Sequence, residues 1–227
     1  MSTIVNPSIF KFLNDLKKNN TREWFADNKD YYLKEEEKIK EFFTTINDEL
    51  SKIDNIGGMK AYRIYRDIRF SKEKTPYKTY RSCSYKRATE ALRGGYHLEI
   101  TPGGSFLAAG FWQPNKEDLF RIRKEFEMDS TIIRRILNTS DLKNKFNGFH
   151  AWKTLKVAPS GFDKNHPNIG LIRKKDFIVL RKFTDKEVLS KDFHSTIIDS
   201  FKAVRPFFNY MSDVLTTNLN GESILEE

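Results

Sequence analysis

Arg63, Arg66 and Arg69, followed closely by Lys72, Lys74 and Lys78, are the side chains whose types and spacing point most directly to a chemistry. A guanidinium offers a planar fork that grips phosphate or carboxylate through paired hydrogen bonds, and an ammonium adds a compact point charge. The arginines are expected to hold an anion, with the lysines forming a rim on the following loop. Tyr65 and Tyr77 stand among them and can stack on a base or donate a hydrogen bond. Asp67 is the nearest acid.

The setting strengthens that expectation. Residues 60–87 hold ten Lys/Arg against two acids, Asp67 and Glu73, a balance of +8. The rest of the chain carries 30 basic and 29 acidic residues, so the formal net charge of +9 is one local block on a nearly neutral protein. Six aromatic residues interleave with the block: Tyr62, Tyr65, Phe70, Tyr77, Tyr80 and Tyr85. A concentrated positive field attracts an anion.

Residues 62–67 read as a strand, and residues two apart on a strand share a side. Arg63, Tyr65, Asp67 and Arg69 would line one side; Ile64, Arg66, Ile68 and Phe70 would line the other. Arg66 then lies near the core and needs a partner, because a buried unpaired charge is strongly unfavourable. Either it pairs with a structural carboxylate while the other bases are solvated, or the three guanidinium groups converge on a bound anion. The Ser71–Lys78 stretch lacks the glycine-rich turn of a phosphate-binding loop, so any phosphate here is held by side chains.

Other residues offer less. His97 and Glu99 are two apart on an expected strand and could do acid–base work beside a cationic pocket, although a mixed, exposed sheet face is the simpler reading. His97, His150, His166 and His194 show no ligand spacing, so neither a metal site nor a cofactor is expected. The single cysteine, Cys83, excludes an internal disulfide and is expected to be a buried, inert thiol. No stretch approaches the roughly 18 apolar residues that span a bilayer, and the first residues do not have the form of a signal peptide. The expected location is the cytoplasm, with no membrane partner.

The elements that must position these residues are α+β: a central, mostly antiparallel sheet with helices from both the N- and C-terminal regions packed on it. One domain is expected over 1–227. It would hold N-terminal helices at 7–53, a strand-rich core at 60–113, helices at 115–146, an irregular loop and strand at 147–183, and a C-terminal helix at 190–217. Asn6-Pro7 starts the first helix. Asn20 with Glu23 has the form of a capping box opening a long second helix, and the charged run 34–41 is expected on its solvated face. Gly57-Gly58 ends the helical part. Asn115 caps a later helix, and Thr184 with Glu187 is another capping-box pattern. Strands are expected at 80–87, 95–101, 105–113 and 176–183, with a short one at 154–157. Thr101-Pro102-Gly103-Gly104 is a hairpin turn. Pro206 should kink the last helix, and the tail from 218 should fray. With 19 Phe in the chain, the core should be built largely on rings.

Several separated motifs resemble the family catalogued as domain of unknown function 2461. They are Asn20-Thr21-Arg22-Glu23-Trp24-Phe25, Arg63-Ile64-Tyr65-Arg66-Asp67, Arg69-Phe70-Ser71-Lys72 and Lys74-Thr75-Pro76-Tyr77-Lys78. Gly95-Tyr96, Pro102-Gly103, Gly110-Phe111-Trp112, Gly161-Phe162-Asp163-Lys164 and His166-Pro167 follow in the same order. The resemblance implies a full-length domain whose basic segment belongs to the family. It draws Arg22, Trp112, Asp163 and His166 toward the rim of a site, and it brings no activity. Two departures stand out. The family often has an aromatic residue at the place of His97 and a His or Gln at that of Glu99, which weighs against a shared catalytic role for His97. Its Ser-Arg-Pro is here Leu180-Arg181-Lys182.

The leading expectation is thus a cationic, aromatic-lined cleft that binds a phosphorylated or otherwise anionic small molecule. A single-strand nucleic-acid groove is the first alternative. A hydrolase or transferase acting on a phosphorylated substrate through Asp67, Glu99 or Asp163 is the second. A module docking an acidic protein partner is the third.

Overall fold

The computed structural model describes residues 3–69, 72–150, 152–218 and 220–225. Its elements are α1 (Pro7–Lys18), α2 (Arg22–Asp27), α3 (Lys29–Ser51), β1 (Ile56–Ala61), β2 (Arg81–Arg87), β3 (Gly95–Ile100), β4 (Phe106–Phe111), α4 (Lys116–Met128), α5 (Thr131–Leu137), α6 (Ser140–Phe146), α7 (Ile169–Ile172), β5 (Phe177–Lys182), α8 (Asp185–Val188) and α9 (Phe193–Thr216). The strands form one five-stranded antiparallel sheet in the order β1-β2-β3-β4-β5, so each lies beside its neighbour in sequence. The protein is α+β.

The chain divides into two compact units. The first takes Met1–Lys86, His97–Leu107 and Lys182–Asp199; the second takes Arg87–Tyr96, Ala108–Arg181 and Ser200–Glu227.

In the first unit, α1 and β1 both pack on α3. Asn6 caps α1 by accepting from the Ser8 N–H, with Pro7 at the first helical position, as the sequence implies. Ile9, Phe12, Leu13 and Leu16 of α1 and Phe42, Phe43, Ile46 and Leu50 of α3 are all buried. Rings supply much of this core, including a stacked Phe25–Tyr77 pair with centroids 3.9 Å apart.

In the second unit, Phe111 meets Phe207 and Phe208 edge-on, and Phe177 meets Phe126 and Phe149. Here α4 packs on α7 and α5 on α6. The last helix is a single element that includes Pro206.

Several local expectations need correction. The expected long second helix is two helices, α2 and α3, joined at Asn28. The cap of α2 is Thr21, whose hydroxyl accepts from the Trp24 N–H at 3.2 Å. Asn20 is therefore no cap. Its amide pairs with the backbone of Tyr77 in both directions, at 3.0 and 3.1 Å. The charged run 34–41 is not wholly solvated, since Glu35 and Glu36 are buried and hold hydrogen-bonded cations. The first strand is 56–61 and includes Gly57 and Gly58, which the sequence reads as a break.

Residues 62–67 are extended but outside any strand, tied by a Tyr65–Tyr77 bridge and by bonds between Arg66 N–H and Pro76 C=O and between Lys78 N–H and Ile64 C=O. Thr154 makes only an isolated bridge, to Lys174. The described residues 220–225 are not frayed as expected: Ile224 N–H donates to Thr216 C=O, and Asn218 N–H to Glu222 C=O.

Candidate functional site

The extended segment 62–69 keeps the expected alternation. Arg63, Tyr65, Asp67 and Arg69 are exposed, whereas Ile64 is buried and Arg66 and Ile68 are half-buried. Phe70 and Ser71 lie outside the described residues. The three arginines do not act alike. Arg66 is paired with Glu73, the acid seven residues on. Arg69 makes a two-pronged contact with Asp67, from Nε at 3.0 Å and Nη2 at 2.7 Å. These hydrogen bonds hold the Asp67 carboxyl down to about 2. Among the described residues Arg63 has no ion-pair partner.

The lysines also differ. Lys72 and Lys74 are exposed, and the Lys74 ammonium donates to the Ile68 carbonyl at 3.0 Å. Lys78 is half-buried. Its ammonium lies over two tyrosine rings, 5.6 Å from the Tyr62 centroid and 5.8 Å from that of Tyr80. No carboxylate or other hydrogen-bond partner reaches it among the described residues. Burial lowers its pKa, and Arg81, Arg63 and Arg66 push it further down; Glu99 alone opposes them. Lys60 approaches the same Tyr62 ring at 5.4 Å.

Beside Lys78 lies the outer face of β2 and β3. Period-two alternation buries Cys83 and Tyr85 on one side of β2, and Tyr96, Leu98 and Ile100 on one side of β3. Ser84, His97 and Glu99 therefore share the opposite side. The exposed face that is the simpler reading of His97 and Glu99 does not form, for both are half-buried. The Ser84 hydroxyl is 2.8 Å from His97 Nδ1 and 3.2 Å from the Tyr62 hydroxyl, giving a Tyr62–Ser84–His97 chain of hydrogen bonds. The His97 ring also packs 5.9 Å from Phe106. Burial depresses the imidazole pKa to about 4, so the ring is neutral at physiological pH. Burial raises that of Glu99, opposed by the Thr101 hydroxyl, which donates to Oε1 at 3.0 Å, and by Lys78.

The remaining expected residues fall as follows. Tyr77 is buried against Phe25, so its ring has no free face for a ligand base. Tyr65 keeps 47% of its surface exposed. Arg22 is exposed at the start of α2 and lies close enough to Tyr77 to bias its hydroxyl.

Trp112, Asp163 and His166 belong to the second unit, each with local partners. Trp112 meets Trp152 edge-on at 4.5 Å. Asp163 accepts from the Asn165 N–H at 2.9 Å, and His166 Nδ1 accepts from that of Asn168 at 3.1 Å.

Two cations of the block are structural. Arg81 is 1% exposed and bound to Glu36 at 2.6 Å. Arg87 is equally buried, donating to the Arg93 carbonyl at 2.9 Å. Sequence reasoning does not single out Tyr62, Tyr80, Ser84 or Thr101 as site residues. Their signal is the pairing of β2 with β3, which period-two alternation alone does not supply. No group of three or more His, Cys, Asp or Glu among the described residues could hold a metal ion.

This arrangement is that of an α+β protein with a cationic, tyrosine-rich cluster on one sheet face. The chain belongs to the conserved hypothetical protein family DUF2461, whose profile matches residues 8–210. No curated protein and no solved structure matches it. No helix among the described residues is long and apolar enough to cross a membrane.

Proposed function

We propose that this protein binds an anionic small molecule, such as a phosphate ester, at a recess centred on Lys78, with Arg63 and Arg66 at its edge. The observation that carries this reading is the state of Lys78. A half-buried ammonium lies over two tyrosine rings with no carboxylate bound to it, in the field of Arg63, which has no ion-pair partner among the described residues, and of Arg66 and Arg81, which Glu73 and Glu36 hold. Like charges crowded in a partly desolvated place repel one another unless a counter-ion joins them. An anion there gains charge-assisted hydrogen bonds and relieves that repulsion. Arg69 leaves the proposed grip because Asp67 already occupies its fork. Arg66 shares its charge with Glu73 and contributes through the field.

Calorimetric titration with inorganic phosphate and pyrophosphate tests the reading. Wild-type protein should bind at least one of them, and Lys78→Ala should remove the signal while thermal unfolding stays cooperative. Arg69→Ala should bind like wild type. Absence of binding by wild type, or affinity unchanged in Lys78→Ala, would refute the assignment.

A further inference from the structure

We infer that the recess is built for the monophosphate ester of a polyhydroxy compound, a sugar- or polyol-phosphate class of ligand, and that Glu99 and His97 read its hydroxyl groups. This rests on the anion-binding reading above and adds what the rest of the ligand must be.

Three side chains here hold unused hydrogen-bonding capacity. Glu99 accepts one bond, from Thr101 to Oε1; its other oxygen has no partner among the described residues. His97 uses Nδ1 with Ser84, and its Nε2 is likewise unpartnered among the described residues. Lys78 has three ammonium donors and only ring faces beside them. All three side chains are half-buried, so water satisfies them incompletely and a ligand that matches them gains.

Their chemical order defines the match. Lys78 supplies the charge for one anionic group. Glu99, on the same sheet face as His97, whose ring lies 6.1 Å from the Tyr62 ring that Lys78 covers, is an acceptor. It disfavours a second phosphate and favours a donor, which a hydroxyl group is. His97, neutral by burial, offers a nitrogen that can donate to or accept from a hydroxyl, because the Ser84–Tyr62 chain runs in either direction. Tyr62 and Tyr80 add ring faces flanking Lys78. Lys78 with arginines at its edge, one acidic acceptor, one neutral imidazole and two tyrosines suit a single phosphate head on a hydroxylated body. A long polyanion does not suit them.

Calorimetry with four probes tests this: inorganic phosphate, pyrophosphate, glucose 6-phosphate and glucose. Glucose 6-phosphate should bind wild type at least about tenfold more tightly than inorganic phosphate, the worth of one hydrogen bond to a charged group. Pyrophosphate should bind no more tightly than phosphate. Glucose alone should bind far more weakly than its phosphate. Glu99→Ala should weaken glucose 6-phosphate binding about tenfold, narrowing its advantage over inorganic phosphate, while leaving the latter unchanged or slightly tighter. His97→Phe should lower glucose 6-phosphate affinity and spare phosphate.

Equal affinity of wild type for phosphate and glucose 6-phosphate would overturn this inference and leave the anion site standing. So would a Glu99→Ala variant that weakens both ligands alike. Failure of all phosphorylated probes to bind would overturn both readings together.

Discussion

Arg81, 1% exposed at the start of β2, donates from Nη2 to Glu36 Oε1 of α3 at 2.6 Å. Glu36 is itself buried and takes a second cation, Lys40, at 3.3 Å. The pair joins the sheet to the helix it packs on. Removing one partner leaves the other charge buried and uncompensated. Arg81→Ala should therefore lose about 3–5 kcal/mol in urea unfolding. Replacing both residues with apolar ones of similar size, Arg81→Met with Glu36→Leu, should restore most of that loss. A single variant within about 1 kcal/mol of wild type would show that the pair adds little to the fold.

Gly110 in β4 has φ +144°, and a Cβ there would lie 2.1 Å from the Phe177 carbonyl oxygen of β5. Backbone cannot yield as a flexible side chain can. Gly110→Ala should cost more than about 3 kcal/mol or leave the protein without a cooperative transition. Gly148 provides the control: its φ is +84° but nothing lies within 4 Å of the added Cβ. Gly148→Ala should cost only about 1 kcal/mol. Thermal unfolding of the two variants side by side checks the contrast.

Much of this fold is written in local pattern. The caps at Asn6, Asn115 and Thr184, the Thr101–Gly104 turn and the alternation of 95–100 all act within a few residues, and each appears in the structure. What escaped was decided by distant partners. Glu36 lies in a run that looks solvated, and only its meeting with Arg81, 45 residues on, makes it buried. Asn20 has the form of a cap, yet the backbone of Tyr77 claims its amide. The candidate site divides the same way. Its positive charge is legible as composition. Which cations are free is not, because Arg66 and Arg69 are matched by acids within the segment while Arg81 and Arg87 turn inward on the strand. The Ser84–His97 contact depends on strand register, which no local motif encodes.

Cys83 lies on the inward face of β2 with no exposed surface, and burial pushes its thiol up to about 12. The thiolate is the reactive form. At pH 8 the native protein should resist iodoacetamide for hours, while the same protein in strong denaturant should be alkylated once per chain within minutes. Rapid labelling under native conditions would mean that the packing over the inward face of β2 opens readily.

His97 sets a pH dependence whose sign follows from its burial. The imidazole titrates near 4 in the folded protein against an ordinary value of 6.5. Above pH 6.5 the ring is neutral in both states and the contribution is fully present. As the pH falls from 6.5 the unfolded chain takes up a proton that the folded chain refuses, so stability declines until about pH 4 and then levels off. The loss is at most about 3.5 kcal/mol, because each tenfold difference in proton affinity between the two states is worth about 1.4 kcal/mol. Carboxylates titrate over part of the same range, and Glu99, raised by burial, acts in the opposite sense. The informative quantity is therefore the difference between wild type and His97→Gln in urea unfolding at a series of pH values. Wild type should lose stability relative to the variant between pH 6.5 and 4, with the difference constant above 7. In parallel, the His97 ring carbons in NMR should hold their neutral shifts down to about pH 5. A ring that protonates near 6.5 would show that solvent reaches His97 freely and would count against the proposed recess at Lys78.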